Sequence, residues 1–105
     1  MPMTVLVTRD VEDRYRGFLA SAMLEIAPGV YTAPELSAAV RERVWTVVSG
    51  WHATLGRGSI VMTWRDPAAP GGQGIRSLGT PPYRLVDAGG VMLAKVADQE
   101  TSAPE

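Results

Sequence analysis

The sequence predicts an α+β fold, a two-layer sandwich in which one antiparallel sheet carries two helices on one face. Two segments, over about residues 11–26 and 36–55, repeat their apolar residues at the 3.6-residue period of a helix. Several shorter segments run apolar or alternate with the period of a strand. A chain of 105 residues, 46% hydrophobic and 20% charged, has the length and composition of one globular domain with a single core.

Met3-Thr4-Val5-Leu6-Val7-Thr8 is a β-branched apolar run and reads as a buried first strand. Asp10 comes next as a candidate N-cap, and Glu12 and Asp13 stand where a helix dipole favours acids. Val11, Tyr15, Phe18, Leu19, Ala22 and Ile26 form the stripe of the first helix, expected over about 11–26 and stopped by Pro28-Gly29. Val30-Tyr31-Thr32 is a short strand.

The second helix has its stripe in Leu36, Val40, Val44, Val47, Val48, Trp51 and Leu55, roughly 30 Å of helix. Ala38, Glu42, Thr46, Ser49 and Ala53 fall on the solvated side. Trp45 lies about 120° from the centre of the stripe, so the core should leave it partly uncovered. Gly56-Arg57-Gly58 ends the helix.

The period then switches to two. Ile60, Met62 and Trp64 alternate with Val61, Thr63 and Arg65 as a strand. Asp66 to Gly74 is a loop expected to be mobile at its tip, and Ile75-Arg76-Ser77-Leu78 is the returning arm of the hairpin. Gly79-Thr80-Pro81-Pro82 breaks the chain, and Val91 to Val96 is an additional C-terminal strand after Gly89-Gly90. The organisation is a domain over 1–96 and a flexible acidic tail over 97–105.

The order β-α-β-α-β-β-β departs from a clean βαββαβ, but a ferredoxin-like sandwich is the commonest plan for such elements at about 100 residues. One face of the sheet should stay uncovered, and an uncovered apolar face invites a second copy, so a homodimer is expected.

Composition narrows the function classes. No apolar run reaches the roughly 20 residues of a membrane span, and the opening residues lack the basic start of a signal peptide, so a cytoplasmic protein is expected. The absence of cysteine excludes disulfides, thiolate nucleophiles and zinc-thiolate sites. Net charge is −1, but three of the eleven acids lie in the tail. Eight acids against ten bases leave residues 1–96 at +2, and nine of those bases are arginine, whose planar fork suits phosphate.

Candidate chemistry is sparse. His52 is the single histidine, no serine has a basic partner at readable spacing, and the glycine-rich run Gly71-Gly72-Gln73-Gly74 lacks the lysine of a phosphate loop. Asp10, at the end of the first strand, is the best candidate acid. It is either a helix cap or, paired with its copy across a dimer axis, a ligand for a divalent cation. Asp10–Arg14 and Glu12–Arg16 are i,i+4 pairs of the kind found on solvated helix faces. The alternative for Arg14 and Arg16 is phosphate contact, although the two differ by about 200° of helix rotation.

Several segments, in order, resemble the type I-E form of CRISPR-associated protein two, the small subunit of the CRISPR spacer-acquisition complex. They are the strand ending Val7-Thr8, then Arg14-Tyr15-Arg16-Gly17, Gly29-Val30-Tyr31, Arg41-Glu42 with Val44-Trp45, Ile60-Val61-Met62-Thr63-Trp64, and Leu78-Gly79. The resemblance spans residues 1 to about 96. It implies a ferredoxin-like homodimer that bridges dimers of the larger integrase subunit and supports the middle of a captured double-stranded DNA. It assigns backbone contacts to Arg14 and Arg16, with Arg41 and Arg84 as further candidates. It assigns docking of the larger subunit to the final strand and the acidic tail.

The wider family is known as a metal-dependent endoribonuclease with its metal-binding aspartate at the end of the first strand. That resemblance implies Asp10 as catalytic and metal ligand, with Mg2+ only if nuclease activity is retained. Two departures stand out. Relatives carry an acid directly after the strand-ending Thr, where this chain has Arg9 and then Asp10. Where relatives have an arginine pair after Leu78-Gly79, this chain has Pro81-Pro82-Tyr83-Arg84. The leading expectation is therefore a non-catalytic DNA scaffold for spacer acquisition. A magnesium-dependent endonuclease built on Asp10 is the second reading, and a ferredoxin-like module binding a small ligand is the third.

Overall fold

The computed structural model describes residues 2–79 and 83–96. β1 (Thr4–Arg9) takes the centre of a five-stranded sheet because it is apolar on both sides, with Leu6 on one face and Val5 and Val7 on the other. Around it stand β2 (Leu24–Ala27), β3 (Val30–Ala33), β4 (Ser59–Arg65) and β5 (Gln73–Leu78), in the order β2-β3-β1-β4-β5. Every pairing is antiparallel. Register sets Leu6 beside Tyr31 of β3 and Met62 of β4, and Thr8 beside Ile60.

Two helices, α1 (Asp13–Ala20) and α2 (Ala38–Leu55), cover the face that carries Leu6, Tyr31, Ile60, Met62 and Trp64. Tyr15 and Leu19 of α1 and Val44 and Val48 of α2 complete the buried core. Each such side chain contributes about 1.5–3 kcal/mol by leaving water. Ser37 caps α2, its hydroxyl accepting from the Val40 N–H at 3.2 Å. Gly56 closes that helix in the left-handed region (φ 69°), its N–H donating to the His52 carbonyl at 2.8 Å. Trp45 is half-buried at the margin of the core, and Val40 is the one stripe residue left exposed.

The structure corrects the first helix. It ends at Ala20, where the sequence pattern suggests about residue 26, and Leu24–Ala27 is strand. Ala22 and Met23 N–H groups both donate to the Leu19 carbonyl, and the chain turns there. Leu24 pairs with Thr32 and Glu25 with Tyr31, and Ile26 falls at a bulge before Ala27, so a short strand hides inside an apparent period of 3.6. Asp10 is also not the cap. Glu12 holds the N-cap position without a side-chain capping bond, and Asp10 stands two residues earlier with φ 59°. The i,i+4 pairing of Asp10 with Arg14 is lost for the same reason.

With β2 restored, the first six elements follow a clean βαββαβ order. Gly29 (φ 77°) makes the β2–β3 turn. Its carbonyl accepts the Thr8 N–H at 2.7 Å, and a Cβ there would come within 2.7 Å of the Thr8 carbonyl oxygen.

The loop after β4 is ordered by its own hydrogen bonds. The Asp66 carboxylate accepts from the Ala68 N–H at 3.0 Å, and the Asp66 N–H donates to the Gly72 carbonyl across a short 3-10 turn at Pro70–Gly72. The C-terminal strand, β7 (Val91–Val96), does not join the large sheet. It pairs with β6 (Tyr83–Ala88), a strand hidden in the sequence behind Gly79-Thr80-Pro81-Pro82, in a separate two-stranded sheet. The expected tail over 97–105 lies outside the described residues.

The second face of the large sheet is not covered by a helix. Met3, Val7, Leu24 and Ile26 are exposed on it, Leu24 at 66% and Ile26 at 59%, and Val5, Val30, Val61 and Ile75 are half-buried beside them.

Candidate nucleic-acid interface

Arg14 and Arg16 leave α1 on opposite flanks, as their separation of about 200° requires, and each meets a different holder. The Arg14 guanidinium lies 5.5 Å from the centroid of the Trp51 ring of α2. That ring is fixed edge-on by Tyr15 at 5.3 Å and Phe18 at 5.5 Å. Arg16 donates from Nε to Glu25 Oε1 at 2.9 Å and pairs with β2, not with Glu12 as its helical spacing suggested. Its side chain stays 72% exposed.

Glu25 is held in turn. Its second oxygen accepts the Gly29 N–H at 3.0 Å. That backbone hydrogen bond is the main cause that lowers the Glu25 pKa; burial opposes it, and the bond and charge of Arg16 lower it further. Burial first, then the Glu25 charge, raises the pKa of the neighbouring Tyr31 hydroxyl. The arrangement spends Arg16 Nε on orientation and leaves the rest of an exposed guanidinium for a further acceptor, a geometry suited to a phosphate oxygen.

The other arginine candidates lie elsewhere. Arg41 sits ten residues before Trp51 on α2, about 15 Å along the axis from the Arg14 site. Its guanidinium stacks over the Trp64 ring at 4.3 Å, and its Nε is buried without a partner among the described residues. The Trp64 indole also packs against Gly74, where any Cβ would collide with it. Arg76, not singled out by the sequence, approaches the same ring at 5.8 Å and pairs with Glu42 at 2.7 Å. Arg84 stands on β6 opposite Lys95, and the structure describes its backbone position alone. The geometry thus holds Arg14 and Arg16 on opposite flanks of one helix and puts Arg41 in a separate packing cluster.

His52 takes a structural position, its Nε2 3.0 Å from the Gly58 carbonyl oxygen. Asp10 is exposed at the end of β1, its side chain 72% accessible. Sequence reasoning missed its neighbour. Arg57, read only as part of a helix stop, places Nε 3.2 Å from the Asp10 carbonyl oxygen and 3.5 Å from its carboxylate. Its signal was a single cation between two glycines directly after a helix end.

Residues 3–93 match the family model for CRISPR-associated protein (Cas_Cas2CT1978). The chain belongs to this Cas2-type CRISPR-associated family. The metal implied for the wider family does not fit the residues that this chain places at the strand end. Asp10 and Glu12 both face the Arg57 guanidinium, Arg9 adds a further positive charge, and no cluster of three or more acid or histidine ligands occurs among the described residues.

Proposed function

We propose that this Cas2-type protein is the homodimeric scaffold subunit of a CRISPR spacer-acquisition complex, binding captured double-stranded DNA through its phosphate backbone. The presentation of Arg14 and Arg16 supports this most directly: two guanidiniums on one helix, each fixed by a dedicated neighbour. Contacts to phosphate position a duplex without reading its bases, as a device that accepts any captured sequence needs.

The open sheet face is the proposed seat of the second copy, since Val7, Leu24 and Ile26 expose apolar surface there. The helices lie on the other face, so a dimer formed this way keeps Arg14 and Arg16 of both protomers free for DNA. The type I-E subtype and the larger integrase subunit, docked through the C-terminal strands, rest on the motifs that carry the resemblance. On this reading the protein works with DNA in the cytoplasm. No helix among the described residues is long and apolar enough to cross a membrane.

Duplex binding measured with and without the larger subunit tests the proposal. Four phosphate contacts from two protomers predict a fall in affinity of roughly 150-fold between about 50 and 200 mM salt. Arg14→Ala/Arg16→Ala should weaken binding and flatten that dependence. Absence of duplex binding by the wild type at low salt, alone and with the partner, overturns the reading.

A further inference from the structure

We propose that the Arg57 guanidinium is the resident cation of the turn after β1, occupying the oxygens that a divalent metal ion would need. The turn gathers one backbone carbonyl and two carboxylates. Arg57 Nε lies 3.2 Å from the Asp10 carbonyl oxygen and 3.5 Å from Asp10 Oδ1, and Nη1 lies 3.9 Å from Glu12 Oε2. Hard oxygens of these kinds are the ligands that Mg2+ and Ca2+ prefer. Here a monovalent cation, supplied from 47 residues along the chain, faces the Asp10 oxygens and Glu12 Oε2, while Glu12 Oε1 is buried without a partner among the described residues.

The backbone is shaped to bring it there. Gly56 turns α2 off its axis in the left-handed region, and His52 Nε2 meets the Gly58 carbonyl at 3.0 Å. Gly58 (φ 84°) lies so close to the strand end that a Cβ would strike the Asp10 carbonyl and come within 2.5 Å of the Arg9 carbonyl. The α2–β4 turn is therefore pressed onto the β1 turn, with Arg57 at the contact. Asp10 answers with φ 59°, a conformation uncommon outside glycine and most tolerated by Asn and Asp.

Charge points the same way. Arg57 meets both Asp10 and Glu12, so these three groups carry a net charge of −1 where the two carboxylates alone would offer a dication −2. Asp13 and Glu25 line the groove beyond, where Glu25 is engaged by Arg16 and Asp13 stands in the first turn of α1. A second copy would bring its own Arg57 with its own Asp10 and Glu12, so each pair of carboxylates keeps its own cation. Asp10 is therefore a structural acceptor, and exclusion of the metal is a property of Arg57.

The test uses Mn2+ and the full chain, with no nucleic acid, so its outcome is separate from that of the DNA reading. Backbone amides are followed by NMR as Mn2+ is raised to about 5 mM, a range that covers weak carboxylate sites. The wild type should show no saturable paramagnetic broadening at Asp10 to Asp13. Arg57→Gln, which keeps side-chain donors but removes the charge, should gain saturable broadening there. Arg57→Lys should behave as the wild type. Saturable broadening at Asp10 in the wild type overturns the inference, and this titration needs no variant to fold. Arg57→Gln with a native amide spectrum and no gain of Mn2+ binding overturns it as well.

Discussion

The two faces of the large sheet are built from adjacent residues of the same strands, yet they meet different fates. On β1, Leu6 is fully buried while Val7 is 40% exposed. Their neighbours repeat the contrast: Tyr31 and Met62 flank Leu6 in the core, while Val30 and Val61 flank Val7 on the open side. Both rows are apolar, so hydrophobicity alone does not separate them. Supply of covering surface does, because both helices lie on one face and no described helix lies on the other. The open face is what a second protomer would cover.

The largest effect expected from this contrast is on the covered side. Leu6→Ala should lower unfolding stability by about 3 kcal/mol, since a fully buried leucine leaves a cavity between two strands and two helices. Denaturant titration reads this directly. A loss below about 1 kcal/mol would mean that the core collapses around the gap or that Leu6 is less enclosed than it stands here.

An intermediate effect on stability, but a complete one on assembly, belongs to Val7→Asp. A charge on the open face should cost the single protomer about 1 kcal/mol or less, the span of strand preferences. The same charge facing its own copy should abolish the dimer. The wild type should then melt at a temperature that rises with protein concentration, and the variant at one that does not. A wild type that elutes as a monomer with a concentration-independent midpoint removes the open face as a dimer interface.

The contrast also explains which elements were legible in the sequence. α2 was readable because a stripe of about 20 residues leaves little room for another period and Gly56 marks its end with a left-handed cap; the Ser37 cap at its start is seen only in the structure. The region 11–26 was not, because Ile26 fits the helical stripe by number while the fold places it in a strand. Nothing local distinguishes the two. The decision comes from pairing with β3, and from the Gly29 turn whose carbonyl bonds Thr8, 21 residues earlier. Arg14 and Arg16 were visible as candidates, but their holders, Trp51 and Glu25, are set by tertiary packing. Arg57 was out of reach for the same reason, since its partner Asp10 lies 47 residues away.

The smallest expected effect lies on β2, where adjacent residues carry the comparison: Leu24 stands beside Thr32 on the open side and Glu25 beside Tyr31 on the helical one. The Glu25 carboxylate is stabilised in the folded state by the Gly29 N–H first and by Arg16 with it, so its pKa falls below its ordinary value of 4.5. A depressed carboxylate pKa contributes stability above the unfolded value and loses it as pH falls through the folded one. The wild type should therefore exceed Glu25→Gln in melting temperature at neutral pH, and the difference should shrink only below pH 4.5. Thermal melts of both proteins at neutral pH and at successive steps below that value check the sign. A gap that instead widens on acidification would mean that the carboxylate is repelled in the fold, against the hydrogen bonds that hold Arg16 in place. Because Gln keeps one acceptor for Gly29 but no charge for Arg16, the same variant separates the turn from the guanidinium. A duplex affinity that drops in Glu25→Gln while the β2–β3 turn stays intact would locate the effect in the presentation of Arg16.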